Sequence, residues 1–128
     1  MCIRDSKKGD AFDRADLAAV APKPTLGIVS GLYELFPQNG PVRNSLDGLA
    51  DAILPGGYLV YTCQPWHPQL ELIARTLRSH RNNEPWIMRR RTQAEIDQLV
   101  ESAGFQKLDQ LTDDWGIFTV SLARRVAA

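Results

Sequence analysis

The side chains best suited to chemistry in this chain gather after two apolar runs. His67 follows the run Tyr58–Cys63, and its imidazole is the kind of group that serves as a general base near neutrality. Tyr33 and Glu34 follow the run Thr25–Ser30 and are the other proton-exchanging groups close to such an end. Gln64 and Trp66 stand beside His67, where they can line a substrate pocket. None of these residues falls in a recognised catalytic spacing. The plain alternatives are a solvated loop histidine, a surface loop at Tyr33 and Glu34, and a Trp66 that plugs its own loop. Cys63 reads as a small buried hydrophobe, because no base or second thiol accompanies it. Cys2 and Cys63 together make neither a disulfide framework nor a zinc site, so no metal is expected. Arg75, Arg78, Arg81 and Arg89-Arg90-Arg91 concentrate positive charge. Paired guanidinium donors hold phosphate or carboxylate, so a functional cluster would suit an anionic acceptor. The simpler expectation is a solvated face with helix-end charges.

These residues need elements to hold them. Asp13 can cap a short helix over residues 14–21, with Leu17 and Val20 on one face, and Pro22 and Pro24 end it. Residues 25–30 have strand length and few polar side chains, as in strands covered on both faces. A helix with Pro41 in its first turn is expected to about Leu54, with Val42, Leu46, Leu49, Ala50 and Ile53 on its apolar stripe. Pro55-Gly56-Gly57 stops it, and Tyr58–Cys63 reads as a second strand. A helix over residues 68–80 should turn Leu70, Ile73, Ala74 and Leu77 inward. Residues 86–88 read as a short extended piece. Thr92 and Glu95 have capping-box spacing for a helix that stops at Gly104. Strands are expected over residues 105–111 and 115–123, the latter anchored by Ile117 and Val120, with a turn at Asp113-Asp114.

Strands alternating with helices point to an α/β fold with a mostly parallel sheet. The short connection between the last two strands requires an antiparallel hairpin. In such sheets ligands bind outside the carboxyl ends of the strands, which selects Ser30 and Gly31 as a binding edge. The glycine of the turn is the alternative reading of Gly31.

Composition narrows the class. The chain has 128 residues, 15 Lys+Arg against 15 Asp+Glu, no net charge and 44% apolar residues. That balance argues against a partner bound by bulk electrostatics such as nucleic acid. No run approaches the ~20 apolar residues of a membrane-spanning helix. The start lacks the apolar core of a secretory signal, so the expected setting is the reducing cytoplasm.

Several segments resemble class I S-adenosylmethionine-dependent methyltransferases. Leu54-Pro55-Gly56-Gly57-Tyr58-Leu59-Val60 is similar to the segment that opens that family's fifth strand. Residues 92–105, ending Ala103-Gly104-Phe105, resemble the helix entering the sixth, and Leu26–Leu35 resembles the fourth strand and its exit. Gly9-Asp10-Ala11-Phe12-Asp13 resembles the Gly-Asp-Ala segment after the third. The resemblance covers about residues 9–125. It implies the C-terminal part of one methyltransferase domain over residues 7–128, with an incomplete Rossmann-like sheet. It implies S-adenosylmethionine as cofactor, with Asp10 and Ala11 meeting the adenine, Phe12 covering its face, and Ser30 and Gly31 near the cofactor. Turn and cap roles are the alternative for Asp10, and a core role for Phe12.

The small-molecule acceptor stays open. A branch fused to an upstream α/β-hydrolase is the implied relative. No Gly-x-Gly-x-x-Gly occurs, so the loop that would hold the methionine end has no candidate. Residues 1–6 match the translation of a common transposase-end adapter and are expected to be foreign. Half a cofactor site is expected to leave the fragment inactive alone, and the missing strands to leave an apolar sheet edge exposed. The competing class is a non-catalytic Rossmann-like interaction module.

Overall fold

The computed structural model describes residues 5–79, 82–86 and 91–126. The elements in chain order are α1 (Arg14–Ala18), β1 (Leu26–Val29), a 3-10 turn (Tyr33–Leu35), α2 (Asn39–Ala52), β2 (Tyr58–Cys63), α3 (Leu70–Thr76), α4 (Gln93–Ser102), β3 (Phe105–Thr112) and β4 (Thr119–Arg125). The strands form one sheet in the order β1-β2-β4-β3. β1 and β2 pair in parallel, while β4 runs antiparallel to both β2 and β3. Three strands therefore share one direction and only β4 opposes them. The expected α/β class and closing antiparallel hairpin are both present.

One face of the sheet carries the core. Val29, Leu59, Tyr61, Cys63, Phe105 and Ala123 pack there against Val42, Leu46, Ala50 and Ile53 from α2 and its end, and Ile96, Leu99 and Val100 from α4. The period of two in the strands and of about 3.6 in the helices is what brings these side chains together. The same face also holds a polar patch. Tyr61 Oη donates to Asp97 Oδ1 at 2.7 Å, Lys107 Nζ to Asp97 Oδ2 at 2.6 Å, and Thr119 Oγ1 to Gln93 Oε1 at 2.6 Å.

The opposite face is open. Leu26, Ile28, Tyr58 and Val120 are exposed there, Ile28 at 65%. The expectation that β1 is covered on both sides is corrected accordingly. The helices that bury residues, α2 and α4, both pack on the core face.

Other boundaries differ for local reasons. α1 begins where Asp13 accepts from Ala15 N at 2.8 Å and Asp16 N at 3.2 Å, as expected of a cap, but ends at Ala18. α3 stops at Thr76 rather than residue 80, because the chain turns extended at Leu77. Ser79 N then donates to Glu84 O at 2.8 Å and Trp86 N to Leu77 O at 3.1 Å, which leaves Leu77 exposed instead of inward. The rest of the expected extended piece at residues 86–88 lies outside the described residues. β4 starts at Thr119, not at Trp115. Asp113 Oδ1 accepts from Ile117 N at 2.8 Å and Phe118 N at 3.2 Å and closes a loop over the intervening residues. Val120 consequently faces away from the core, and Thr119, Ser121 and Ala123 face into it. Thr92 caps α4 by accepting from Glu95 N at 3.1 Å, while the Glu95 carboxylate accepts from Asn39 Nδ2 at 3.0 Å.

The Pro55-Gly56-Gly57 turn fixes where β2 begins. Leu54 N donates to Pro24 O at 3.0 Å and Tyr58 N to Thr25 O at 2.8 Å, so the turn is stitched to the entrance of β1. Arg125 N donates to Gly57 O at 2.7 Å, which binds the turn to the end of β4. A Cβ on Gly57 would stand 2.7 Å from Thr25 O and 2.6 Å from Ile53 Cγ2. The backbone oxygen cannot retreat without breaking the parallel register, so glycine is required. Gly57→Ala is expected to lower unfolding stability by about 2–3 kcal/mol, read as a reduced urea midpoint. An unchanged midpoint would show that the turn relaxes freely.

Candidate functional site

The parallel strands β1 and β2 end side by side, and the residues that leave them form a rim. At the β1 exit Ser30 is exposed and Gly31 has φ +66° with open space beside its Cα. Glycine reaches that φ without the Cβ penalty other residues meet. Gly31 N donates to Thr62 Oγ1 at 2.8 Å, and Thr62 Oγ1 donates to Glu34 Oε1 at 3.0 Å.

Tyr33 and Glu34 do not lie on a surface loop. Tyr33 is a core residue whose hydroxyl shares a 2.8 Å hydrogen bond with Ser45 Oγ. Burial pushes its phenol up to about 12, the Ser45 bond opposing, so Tyr33 holds its proton at neutral pH. Glu34 is 8% exposed, and its Oε2 has no hydrogen-bond partner among the described residues. Cys63 is buried as expected. Burial first, then the neighbouring Glu34 and Asp97 charges, push its thiol up to about 11, which makes it inert as a nucleophile.

The largest departure from expectation is Arg91. Grouped by sequence with a solvated arginine face, it is only 4% exposed. Its guanidinium donates to Tyr33 O at 2.8 Å, Phe36 O at 2.7 Å, Gln38 O at 3.1 Å and Asn39 Oδ1 at 2.8 Å. These acceptors lie along the 3-10 turn, the segment after it and the first residue of α2, where regular backbone bonding is sparse. The fork of fixed donors replaces secondary structure there. Arg75 and Arg78 are exposed as expected, Arg75 pairing with Glu71 one helical turn away. Arg81, Arg89 and Arg90 lie outside the described residues.

The segment held by Arg91 walls a cleft of about 390 Å³ lined by Asp10, Phe12, Phe36, Pro37, Gln38 and Pro41. The Phe12 and Phe36 rings lie 4.2 Å apart between centroids at a 55° tilt, and Tyr33 backs Phe12 at 6.4 Å. Asp10 Oδ1 accepts from Phe12 N at 2.9 Å and closes an Asx turn, so part of its carboxylate serves the turn. α1 anchors this corner to α2, because Arg14 Nε donates to Asp51 Oδ2 at 2.6 Å. That bond holds the Asp51 carboxyl below its ordinary range.

The structure thus brings Asp10 and Phe12 together in one cleft and joins Gly31 to the cleft wall through Thr62 and Glu34. Ala11 is exposed on the same turn. Gln64 is buried at the β2 exit, and Trp66 lies exposed beyond it. His67 Nδ1 accepts from Gln69 N at 3.1 Å. That bond occupies Nδ1 and leaves Nε2 as the nitrogen that can meet a ligand. Sequence reasoning missed Thr62, Phe36 and the burial of Arg91. Among the described residues no group of His, Cys, Asp and Glu could hold a metal ion, and no helix is long and apolar enough to cross a membrane.

A sheet with one reversed strand next to its last neighbour, and a cleft at the exit of a parallel pair, define the class I S-adenosylmethionine-dependent methyltransferase fold. The chain belongs to the family described as "Putative methyltransferase", whose profile matches residues 2–125. It is 62% identical over 119 residues to the Escherichia coli (strain K12) protein named "Uncharacterized protein YnbC", covering 93% of this chain and 20% of that protein. A solved structure from Bordetella parapertussis, called a "possible exported protein", superposes with a TM-score of 0.69 at 24% identity over 93% of this chain and 43% of that one. Human N-acetylserotonin methyltransferase in complex with SAM superposes at 0.65 with 20% identity, covering 94% of this chain and 33% of that one. The chain therefore spans less than half the length of each of these relatives.

Two outcomes follow from the buried groups. Arg91→Lys keeps the charge but cannot serve the same acceptors, and is expected to cost about 2–4 kcal/mol in urea unfolding. A loss under about 0.5 kcal/mol, the range of ordinary surface changes, would show that the fork is dispensable. Tyr33 is protonated more tightly folded than unfolded, so its stabilisation is full below pH 10.0 and is lost as pH rises toward 12. Thermal midpoints should fall across that window, and less steeply in Tyr33→Phe. Equal slopes in both proteins would contradict the assignment.

Proposed function

We propose that this chain is the C-terminal part of an S-adenosylmethionine-dependent methyltransferase domain in a longer protein. On this reading it contributes the adenine end of the cofactor site and one wall of the acceptor pocket. The observation that carries the reading is the cleft lined by Asp10, Phe12 and Phe36 beside the β1 exit. Its chemistry fits the group: two aromatic rings, a carboxylate and open space beside Gly31.

Bound S-adenosylmethionine supplies an electrophilic methyl group on a sulfonium. The chain's own residues bind and orient. The Asp10 carboxylate accepts from the adenine amine and the Ala11 N–H donates to a ring nitrogen. Phe12 and Phe36 give the ring apolar contact and exclude water. Ser30 and Gly31 let the ligand approach the sheet closely. Gln64, Trp66 and His67 line the acceptor side, where His67 presents Nε2. Placing the two reactants in contact is the main work of such a site.

The absence of a Gly-rich loop in residues 1–128 and the 20% coverage of the E. coli relative favour a parent that supplies the methionine end from elsewhere. The rest of a parent of that size also accommodates a fused α/β-hydrolase domain. A small-molecule acceptor and a reducing cytoplasmic setting complete the proposal.

Calorimetry with S-adenosylhomocysteine tests it. The parent protein should bind, Phe12→Ala in the parent should bind about tenfold more weakly, and the 128-residue chain alone should show no measurable binding. A parent that releases no heat with this ligand, or an isolated chain that binds it at micromolar level, would overturn the assignment.

A further inference from the structure

Thr62 belongs to neither the core nor the cleft lining. It sits half-buried one residue before the end of β2, yet it is the meeting point of two segments distant in sequence. Its hydroxyl accepts from Gly31 N at 2.8 Å and donates to Glu34 Oε1 at 3.0 Å. A hydroxyl has a single proton. Because the Gly31 N–H can only donate, the hydroxyl must accept from it, and its own proton is left for Glu34 Oε1. The direction of the chain is therefore set by the backbone donor of Gly31. Glu34 itself is fixed by the 3-10 turn, whose Tyr33 carbonyl, like that of the adjoining Phe36, is held by Arg91. The Phe36–Gln38 wall and the β1 exit are thus joined into one unit by Arg91, Glu34, Thr62 and Gly31. Among the described residues the Oε2 of Glu34 has no partner, and its Oε1 accepts from Thr62.

We propose that Glu34 and Thr62 act as a positioning pair that holds Gly31 at the strand exit and thereby sets cofactor affinity without taking part in methyl transfer. The proposal rests on the reading of the cleft as a cofactor site. Loss of the Thr62 hydroxyl releases the Gly31 N–H at the exposed strand exit and takes from the buried Glu34 carboxylate the bond at Oε1. The local answer is movement of Gly31 or of the 3-10 turn, and either one deforms the site.

The test uses the parent protein with S-adenosylhomocysteine as probe. Kd is measured by calorimetry, KM and kcat by turnover, and hydrogen exchange by mass spectrometry on peptides spanning residues 30–38. Thr62→Val should raise Kd and the KM for S-adenosylmethionine about tenfold, keep kcat within about twofold, and speed exchange at residues 31–36. Thr62→Ser keeps the hydroxyl and should restore all three. A Thr62→Val protein with a lower melting temperature but unchanged Kd and exchange would overturn the proposal and leave Thr62 a purely structural residue. A fall in kcat at unchanged KM would also overturn it. If unsubstituted parent fails to bind the probe, the cofactor reading fails first and the pair's role in affinity falls with it.

Discussion

A buried guanidinium organises the functional edge of this molecule. Between β1 and α2 the only regular element is one 3-10 turn, and its few backbone bonds, such as that from Phe36 N to Tyr33 O, leave the segment dependent on side-chain donors. Arg91 takes the carbonyls of Tyr33, Phe36 and Gln38 and the side chain of Asn39. Burying a cation is costly unless its donors are used, and this one is used in several directions. Asn39 is the first residue of α2, and its amide donates to Glu95 in the first turn of α4. One side chain thus links the β1 exit, the start of α2 and the start of α4. The wall of the cleft is a consequence of that link, because Phe36 meets Phe12 only while the segment keeps its path.

The sheet is built asymmetrically around this edge. Its core face mixes aliphatic packing with the Tyr61, Asp97, Lys107 and Gln93 bonds under α4. Such a network is favourable when its members are satisfied, and it fixes which face of β4 points inward. The other face presents Leu26, Ile28, Tyr58 and Val120 to solvent.

Much of the fold was legible in the sequence because it rests on periodicity and on strong local signals. Val42, Leu46 and Ala50, the Asp13 and Thr92 caps, and the Pro55-Gly56-Gly57 stop all act through neighbours in the chain. What was not legible depends on distant partners. The start of β4 differs from the expectation because its inward residues are polar or small: Thr119 and Ser121 meet Gln93 across the interface, and Ala123 packs in the core. Apolar Val120 misled for the same reason. At the site, Asp10 and Phe12 came from resemblance, while Thr62 and Arg91 gave no spacing signal. An arginine in an arginine-rich stretch reads as solvated until the carbonyls it serves, more than fifty residues earlier, are in view.

We propose that the cleft between the Asp10–Phe12 turn and the Arg91-held segment receives the adenine of the cofactor. A crystal structure of the parent protein with S-adenosylhomocysteine should show the adenine ring in van der Waals contact with Phe12 and Phe36, with Asp10 at its amine and Arg91 still bound to the carbonyls of Tyr33 and Phe36. Adenine density elsewhere on the sheet, or a cleft filled by the parent's own side chains with the ligand bound, would contradict it.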